Sequence, residues 1–200
     1  MLRIISDGDW SRAFAWSDDT NTFFTIGHST RTIVGFVDLL RESGVGLVID
    51  VRSMPRSRAN PQFNQEALAV TLAPYQIGYE HISELGGLRG KSRGAEASPN
   101  TYWRVRSFRN YADYALTAPF ATGLTRLRER GAEQRCVVMC AEAVWWRCHR
   151  RIIADYLLAA GEQVMHILGK SHVDVASLTP GAVVRNDGTV VYPAQDPQPE

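Results

Sequence analysis

The sequence predicts an α/β fold, a three-layer Rossmann-like domain with a mostly parallel sheet of about five strands plus a C-terminal β-hairpin. Three observations carry that prediction. Short apolar, β-branched runs alternate with segments of helical period from Phe23 to Leu168, which is how βαβ units read. Two of those runs, LVIDV and CVVMC, are nearly apolar throughout, as strands covered on both faces are. Near the end, Asn186-Asp187-Gly188 stands between two valine-rich runs, a hairpin signal.

Taken in order, residues 1–22 show no clean period and are expected to form an N-terminal extension. A single α/β domain is expected over 23–192 and a disordered tail over 193–200. FFTIG is the first strand, ending in Gly27-His28-Ser29-Thr30. Ser29 or Thr30 is expected to cap the next helix, whose face carries Ile33, Phe36, Val37 and Leu40 and which Gly44 stops. Leu47 to Val51 is the second strand, followed by a Pro-, Ser- and Asn-rich loop. Gln65 to Ala73 reads as helix and Pro74 ends it; Ile77 to Ile82 reads as the third strand. Glu84 to Arg106 is a loop of unusual length, rich in Gly and Arg, so functional or mobile. Ser107 to Leu116 and Pro119 to Arg130 read as helices, Cys136 to Cys140 as a buried strand, Trp146 to Ala159 as an amphipathic helix and Val164 to Leu168 as the last core strand.

The net charge of +1 supplies no global drive toward nucleic acid or an anionic membrane, so such a partner needs a local patch. Lysine occurs only at Lys91 and Lys170; arginine in its place suits phosphate and carboxylate, and a GC-rich genome gives the same bias. Three cysteines, an odd number, do not suggest a secreted disulfide scaffold. No apolar run approaches the ~20 residues a membrane helix needs, so a cytoplasmic location is expected, with no membrane partner.

In a doubly covered parallel sheet, ligands bind beyond the carboxyl ends of the strands. Those ends bring His28-Ser29, Asp50 with Arg52, His81, Cys140-Ala141-Glu142 and His166. The densest stretch is Cys140 to Arg151, in which Cys148, His149, Arg150 and Arg151 are expected to open a helix. A helix start attracts anions and lowers a thiol pKa. Cys148 or Cys140 is then a candidate nucleophile, His149 an acid/base group, and Arg150 or Arg147 an oxyanion clamp. Core packing of the cysteines and a structural His149 remain the plain alternatives. The spacing does not fit the short phosphate loop of cysteine phosphatases. No metal site and no cofactor are predicted, although Cys140, Cys148, His149 and His28 are zinc ligand types. There is no CxxC pair, and neighbours on a helix point about 100° apart; a divalent metal is the lesser reading. His28 can cap a helix or pair with Asp50, and Asp50 can instead pair with Arg52 or cap a turn. Glu142 is the leading isolated carboxylate for proton transfer. Arg89, Lys91, Arg93, Arg104, Arg106 and Arg109 with Tyr102, Trp103 and Phe108 suit phosphate plus base stacking, or else form a lid whose aromatics tuck into the domain. Arg52, Arg56 and Arg58 extend that rim.

The ordered motifs Thr25-Ile26-Gly27-His28-Ser29, Asp50-Val51-Arg52 with Pro55 and Ser57, Phe63-Asn64, Tyr79 with His81, Leu85-Gly86-Gly87, Phe108 with Tyr111-Ala112, Cys140-Ala141-Glu142 and Cys148-His149-Arg150 resemble an uncharacterised prokaryotic family, domain of unknown function 488. The resemblance covers roughly Phe23 to Ile167. It implies an α/β domain and no established activity, and its motifs fall on the strand-end residues chosen above. Ala143-Val144-Trp145-Trp146 departs from the more polar stretch expected there.

The functional expectation is an enzyme acting on a phosphate-bearing ligand, a nucleotide or nucleic-acid component. Asp50, Glu142, His28 or His149 would move protons, with Cys148 or Cys140 as nucleophile. Ser29, Arg52, Ser57, His81, Arg89, Cys140 and Arg150 would bind the ligand. The alternatives are a non-catalytic nucleic-acid or nucleotide-binding module and a thiol redox or metal sensor. Oligomeric state is not legible.

Overall fold

The computed structural model describes residues 22–90 and 97–194. The expected extension up to residue 21, Lys91, Arg93 and Glu96 of the arginine-rich loop, and residues 195–200 of the expected tail lie outside them. The first strand, β1 (Thr22–Gly27), leads into α1 (Ile33–Glu42). The cap of α1 is Thr32, whose Oγ1 accepts from the Gly35 N–H at 3.1 Å, rather than the predicted Ser29 or Thr30. Those two residues form a turn instead, with Ser29 at φ 44°. Strand β2 (Leu47–Asp50), helix α2 (Gln65–Leu72) and strand β3 (Gly78–His81) follow. Next come α3 (Arg106–Tyr114), α4 (Ala118–Glu133), β4 (Cys136–Cys140), α5 (Arg150–Ala159) and β5 (Gln163–Gly169).

The sheet order is β3-β2-β4-β1-β5 with those five strands parallel, and a sixth strand, β6 (His172–Val175), runs antiparallel to β5 at the edge. The sequence reading missed β6 because all four of its residues are exposed. It has no buried face to create a pattern. The predicted hairpin is present as β7 (Val183–Val184) and β8 (Val190–Val191). The fold is α/β. Among the described residues no helix is long and apolar enough to cross a membrane.

Strand alternation distributes the core between two layers. Leu47, Ile49 and Val51 of the β2 segment and Cys136, Val138 and Cys140 of β4 pack with Tyr111, Phe120, Leu127, Ile152 and Ile153 from α3, α4 and α5. Val48, Val137 and Met139 face the other way, onto Phe36, Leu40, Leu68 and Leu72 from α1 and α2. The chain therefore leaves β1 and β2 toward one layer and β4 toward the other. Since β4 lies between β1 and β2, their carboxyl ends adjoin where connections diverge, the position at which such sheets open a crevice.

Candidate functional site

Two polar clusters occupy that edge. On the α1–α2 side, Asp50 is fully buried and receives the Arg52 Nε–H at 2.9 Å and the Arg52 backbone N–H at 3.0 Å. Its second carboxylate oxygen accepts from the Tyr79 hydroxyl at 2.6 Å. Arg52, 5% exposed, also donates through Nη2 to the Phe63 carbonyl at 2.7 Å and through Nη1 to His28 Nε2 at 3.2 Å. A guanidinium only donates, so His28 Nε2 carries the lone pair and Nδ1–H donates to the Ser29 carbonyl at 3.0 Å. Burial, with the Arg52 charge, lowers the His28 pKa below its ordinary value, which holds the ring neutral. The ring stacks on Phe63 at 4.3 Å. Of the alternatives for Asp50, the pairing with Arg52 and the turn cap, through the Arg52 backbone N–H, are both formed. The His28–carboxylate pair is not, because the guanidinium stands between them.

On the α3–α5 side, the register differs from expectation in a way that matters. Helix α5 begins at Arg150; Trp145–Arg147 form a short 3-10 helix, Cys148 is extended (φ −131°, ψ 147°) and His149 is the N-cap. Cys148 and His149 therefore escape the helical divergence expected of adjacent residues. Their reactive atoms converge, with Cys148 Sγ 3.6 Å and Cys140 Sγ 4.0 Å from His149 Nδ1. His149 Nε2 lies 3.0 Å from the Val51 carbonyl. A carbonyl only accepts, so the proton of the neutral ring sits on Nε2 and the Nδ1 lone pair faces both sulfurs.

Arg150 is 1% exposed and donates through Nε to Cys148 Sγ at 3.3 Å and through Nη2 to the Glu142 carbonyl. Burial opposes ionisation of Cys148, but hydrogen bonding from Cys140 and the His149 and Arg150 groups outweigh it and hold this thiol well below its ordinary pKa. The bond to Cys148, with burial, pushes Cys140 well above the thiol range. Cys136, at the far end of β4, is pushed up to about 12, chiefly by burial.

Two glycines make the close approach possible. A Cβ on Gly27 would lie 1.9 Å from the Glu142 carbonyl oxygen that Arg150 grips, and a Cβ on Gly87 2.4 Å from His149 Nδ1. Both belong to motifs read in the sequence, but their roles are invisible without the fold.

A cavity of about 350 Å³ opens over the cysteine cluster, lined by His28, Arg52, Ser53, Arg56, Ser57, Ser107, Phe108, Cys140, Glu142, Arg147, Cys148 and His149 among others. Of the expected site residues, His28, Arg52, Ser57, Cys140, Glu142, Cys148 and His149 reach it. Asp50, buried behind Arg52, does not line it, and neither does Ser29, whose N–H donates to the Ala141 carbonyl at 2.9 Å. His81 bonds the Arg52 carbonyl through Nε2 at 2.8 Å and lies outside the lining. Arg89 turns away, donating to the Ser83, Glu84 and Gly86 carbonyls and stacking 3.7 Å from the Tyr114 ring centroid. Arg52, Arg89 and Arg150, expected as an anion rim, are thus all engaged inside the protein. The exposed cations on the cavity wall are Arg56 and Arg147, which make no ion pair among the described residues. Trp103 of the arginine-rich stretch is buried and stacked on Phe108 at 4.9 Å, the tucked arrangement rather than an open stacking platform. Trp145 stacks on His166 at 4.3 Å and Trp146 packs edge-on against it, both outside the cavity lining.

No curated protein and no solved structure matches the chain. The stretch from just before α1 into α5, which carries Asp50, Arg52, Cys140, Cys148 and His149 but not His28, does have a counterpart among protein families. The model of "Domain of unknown function DUF488" matches residues 32–157, and the chain belongs to that family.

Proposed function

We propose that this protein is an enzyme that acts on a phosphate-bearing ligand of nucleotide type, with Cys148 as nucleophile and His149 as its proton partner. The single observation that carries the reading is the contact between Cys148 Sγ and the unprotonated His149 Nδ1 on a cavity wall, with the ring oriented from behind by the Val51 carbonyl. A nucleophile, a base and a group that orients the base constitute the arrangement of covalent catalysis. Arg150 supports the thiolate directly rather than clamping the ligand.

The chemistry balances as a two-step displacement. Cys148 passes its proton to the His149 Nδ1 lone pair, its sulfur bonds the electrophilic centre as the bond to the leaving group breaks, and the leaving group takes that proton from Nδ1. Water then gives its proton to Nδ1 and cleaves the thio-linked intermediate, releasing Cys148 as thiolate. Arg56 and Arg147 are placed to meet the phosphate. Ser53 Oγ and Ser57 Oγ already accept the Leu88 and Asn60 N–H groups at 2.8 and 3.0 Å, so each hydroxyl proton is available to an anion. Phe108 offers the apolar surface for a base or sugar.

The test is a thermal-shift screen of nucleotides, sugar phosphates and short oligonucleotides on chelator-treated protein, followed by acid quench and mass spectrometry of any ligand that binds. A ligand at 100 times its dissociation constant stabilises by about 2.7 kcal/mol. The expected result is a shift lost in the Arg56→Ala, Arg147→Ala double variant and an adduct on Cys148. Turnover that persists in Cys148→Ser, or iodoacetamide that modifies Cys148 no faster than Cys136, overturns the reading.

A further inference from the structure

The geometry points to a second capacity of the cysteine cluster: we propose that Cys140 Sγ, Cys148 Sγ and His149 Nδ1 form a binding site for one thiophilic divalent cation of the zinc type, its fourth coordination position open to the cavity. This site shares two residues with the nucleophile reading but does not rest on it.

Four observations support it. The three donor atoms all lie within 4.8 Å of one another, although they come from two separate segments, the end of β4 and the turn before α5. The spacing suits a tetrahedral ion: zinc–sulfur and zinc–nitrogen bonds of about 2.3 and 2.0–2.1 Å place the two ligand atoms about 3.6 Å apart. The observed sulfur-to-Nδ1 distances are 3.6 and 4.0 Å, within a few tenths of an ångström of that value, and the two sulfurs, within 4.8 Å of each other, close to about 3.8 Å around the ion. The ring is also turned as a ligand should be, with its lone pair toward the sulfurs and its opposite N–H bonded to a backbone carbonyl. That second contact fixes tautomer and orientation, as the outer partners of metal-bound histidines do. Finally, the Arg150 Nε–H on Cys148 Sγ offsets the negative charge that two thiolates around a dication leave.

Two thiolates and one imidazole select zinc or another soft, tetrahedral ion over magnesium or calcium, which prefer oxygen. Three protein ligands with an open fourth position make the pattern of a reactive rather than a closed structural site. All three ligands line the 350 Å³ cavity, so water or the phosphate of a bound ligand has direct access to that position. With the ion bound, Cys148 is a ligand and not a nucleophile. The two states exclude each other, and metal occupancy becomes a control on the thiol.

The experiment is a titration of the chelator-treated full chain with Co²⁺ alone, read by optical absorption, then displacement by Zn²⁺. One equivalent is expected to give tetrahedral cobalt bands with sulfur-to-metal charge transfer. The affinity should fall by more than about 100-fold in Cys140→Ser, Cys148→Ser and His149→Phe, since even second-shell losses typically cost 10–100-fold. Cys136→Ser, remote from the cluster, is expected to bind unchanged, and circular dichroism of each variant separates lost binding from lost fold. Zn²⁺ is also expected to protect Cys148 from iodoacetamide. Absence of the charge-transfer band in folded wild-type protein, or its persistence in the folded Cys140→Ser, Cys148→Ser double variant, overturns the proposal. Neither result touches the nucleophile reading, which is judged by alkylation and adduct formation in chelator.

Discussion

The two polar clusters at the sheet edge share a location and differ in what their atoms still have to give. Around Asp50, both carboxylate oxygens and the Arg52 Nε, Nη1 and Nη2 groups are bonded within the protein, and His28 has a partner on each ring nitrogen. Around Cys148, the sulfurs and the His149 Nδ1 lone pair meet one another on a cavity wall, held by soft contacts of 3.6 and 4.0 Å. The first cluster is saturated and behaves as scaffold: buried charge is tolerated only when fully paired. The second is held in position by Val51 at His149 Nε2 and by Arg150 at Cys148 Sγ, with Gly87 leaving room beside Nδ1. A perturbed, buried polar group is therefore not by itself a functional one; what distinguishes function is bonding capacity left over at a cavity.

The comparison breaks first, and with the largest free-energy effect, at Asp50. Asp50→Ala leaves the buried Arg52 guanidinium without its counter-ion and is expected to cost about 3–5 kcal/mol in urea denaturation; a near-neutral result would remove the scaffold role. His166, 2% exposed and stacked on Trp145, tests the scaffold side by pH. Burial, with the Arg150 charge, lowers its pKa to about 4. The unfolded chain, near 6.5, takes up the proton first, so this contribution is intact above pH 6.5 and is lost as pH falls toward 4. The loss amounts to about 3 kcal/mol over that window, and urea midpoints of wild type and His166→Gln should converge on acidification. Parallel curves would refute the assignment.

The remaining predictions sharpen the reactive side. Gly87→Ala pushes a methyl into the His149 ring, with an expected loss of about 1–3 kcal/mol as overpacking and slower alkylation of Cys148. Unchanged alkylation would mean that ring placement is not what activates the thiol. Cys148→Ser buries a hydroxyl in place of the thiol at a 2% exposed position and should cost no more than about 1–3 kcal/mol, yet abolish labelling at this position in peptide mass spectra. Arg56→Ala and Arg147→Ala, both exposed, should leave stability within about 0.5 kcal/mol of wild type while removing the thermal shift caused by a phosphate ligand. Retention of that shift would move the anion site elsewhere.

Much of this architecture is legible in the chain. The apolar runs at Phe23, Leu47, Cys136 and Val164 announce buried parallel strands, and Asn186-Asp187-Gly188 announces the hairpin. Strand β6 was not legible, because an edge strand with no buried face carries no alternation. Within the site, the chemistry read at the strand ends converges in space, and Cys148, His149, Cys140 and Glu142 all reach the cavity. Partner choice was not legible. Arg52, Arg89 and Arg150 read as ligand-binding cations, yet each is turned inward by carbonyls, a carboxylate or a thiol brought from elsewhere.

What the sequence determined by itself is set by local and periodic physics: which segments are strands and helices, and which residue types stand at strand ends. What only the tertiary structure decided is where α5 starts, and hence that Cys148 and His149 converge, and which of the many polar groups are saturated. Those outcomes depend on close approaches between segments distant in sequence, Gly87 to His149 and Val51 to His149. Hydrogen-bond satisfaction is a property of such long-range juxtapositions, and no single stretch of chain encodes it.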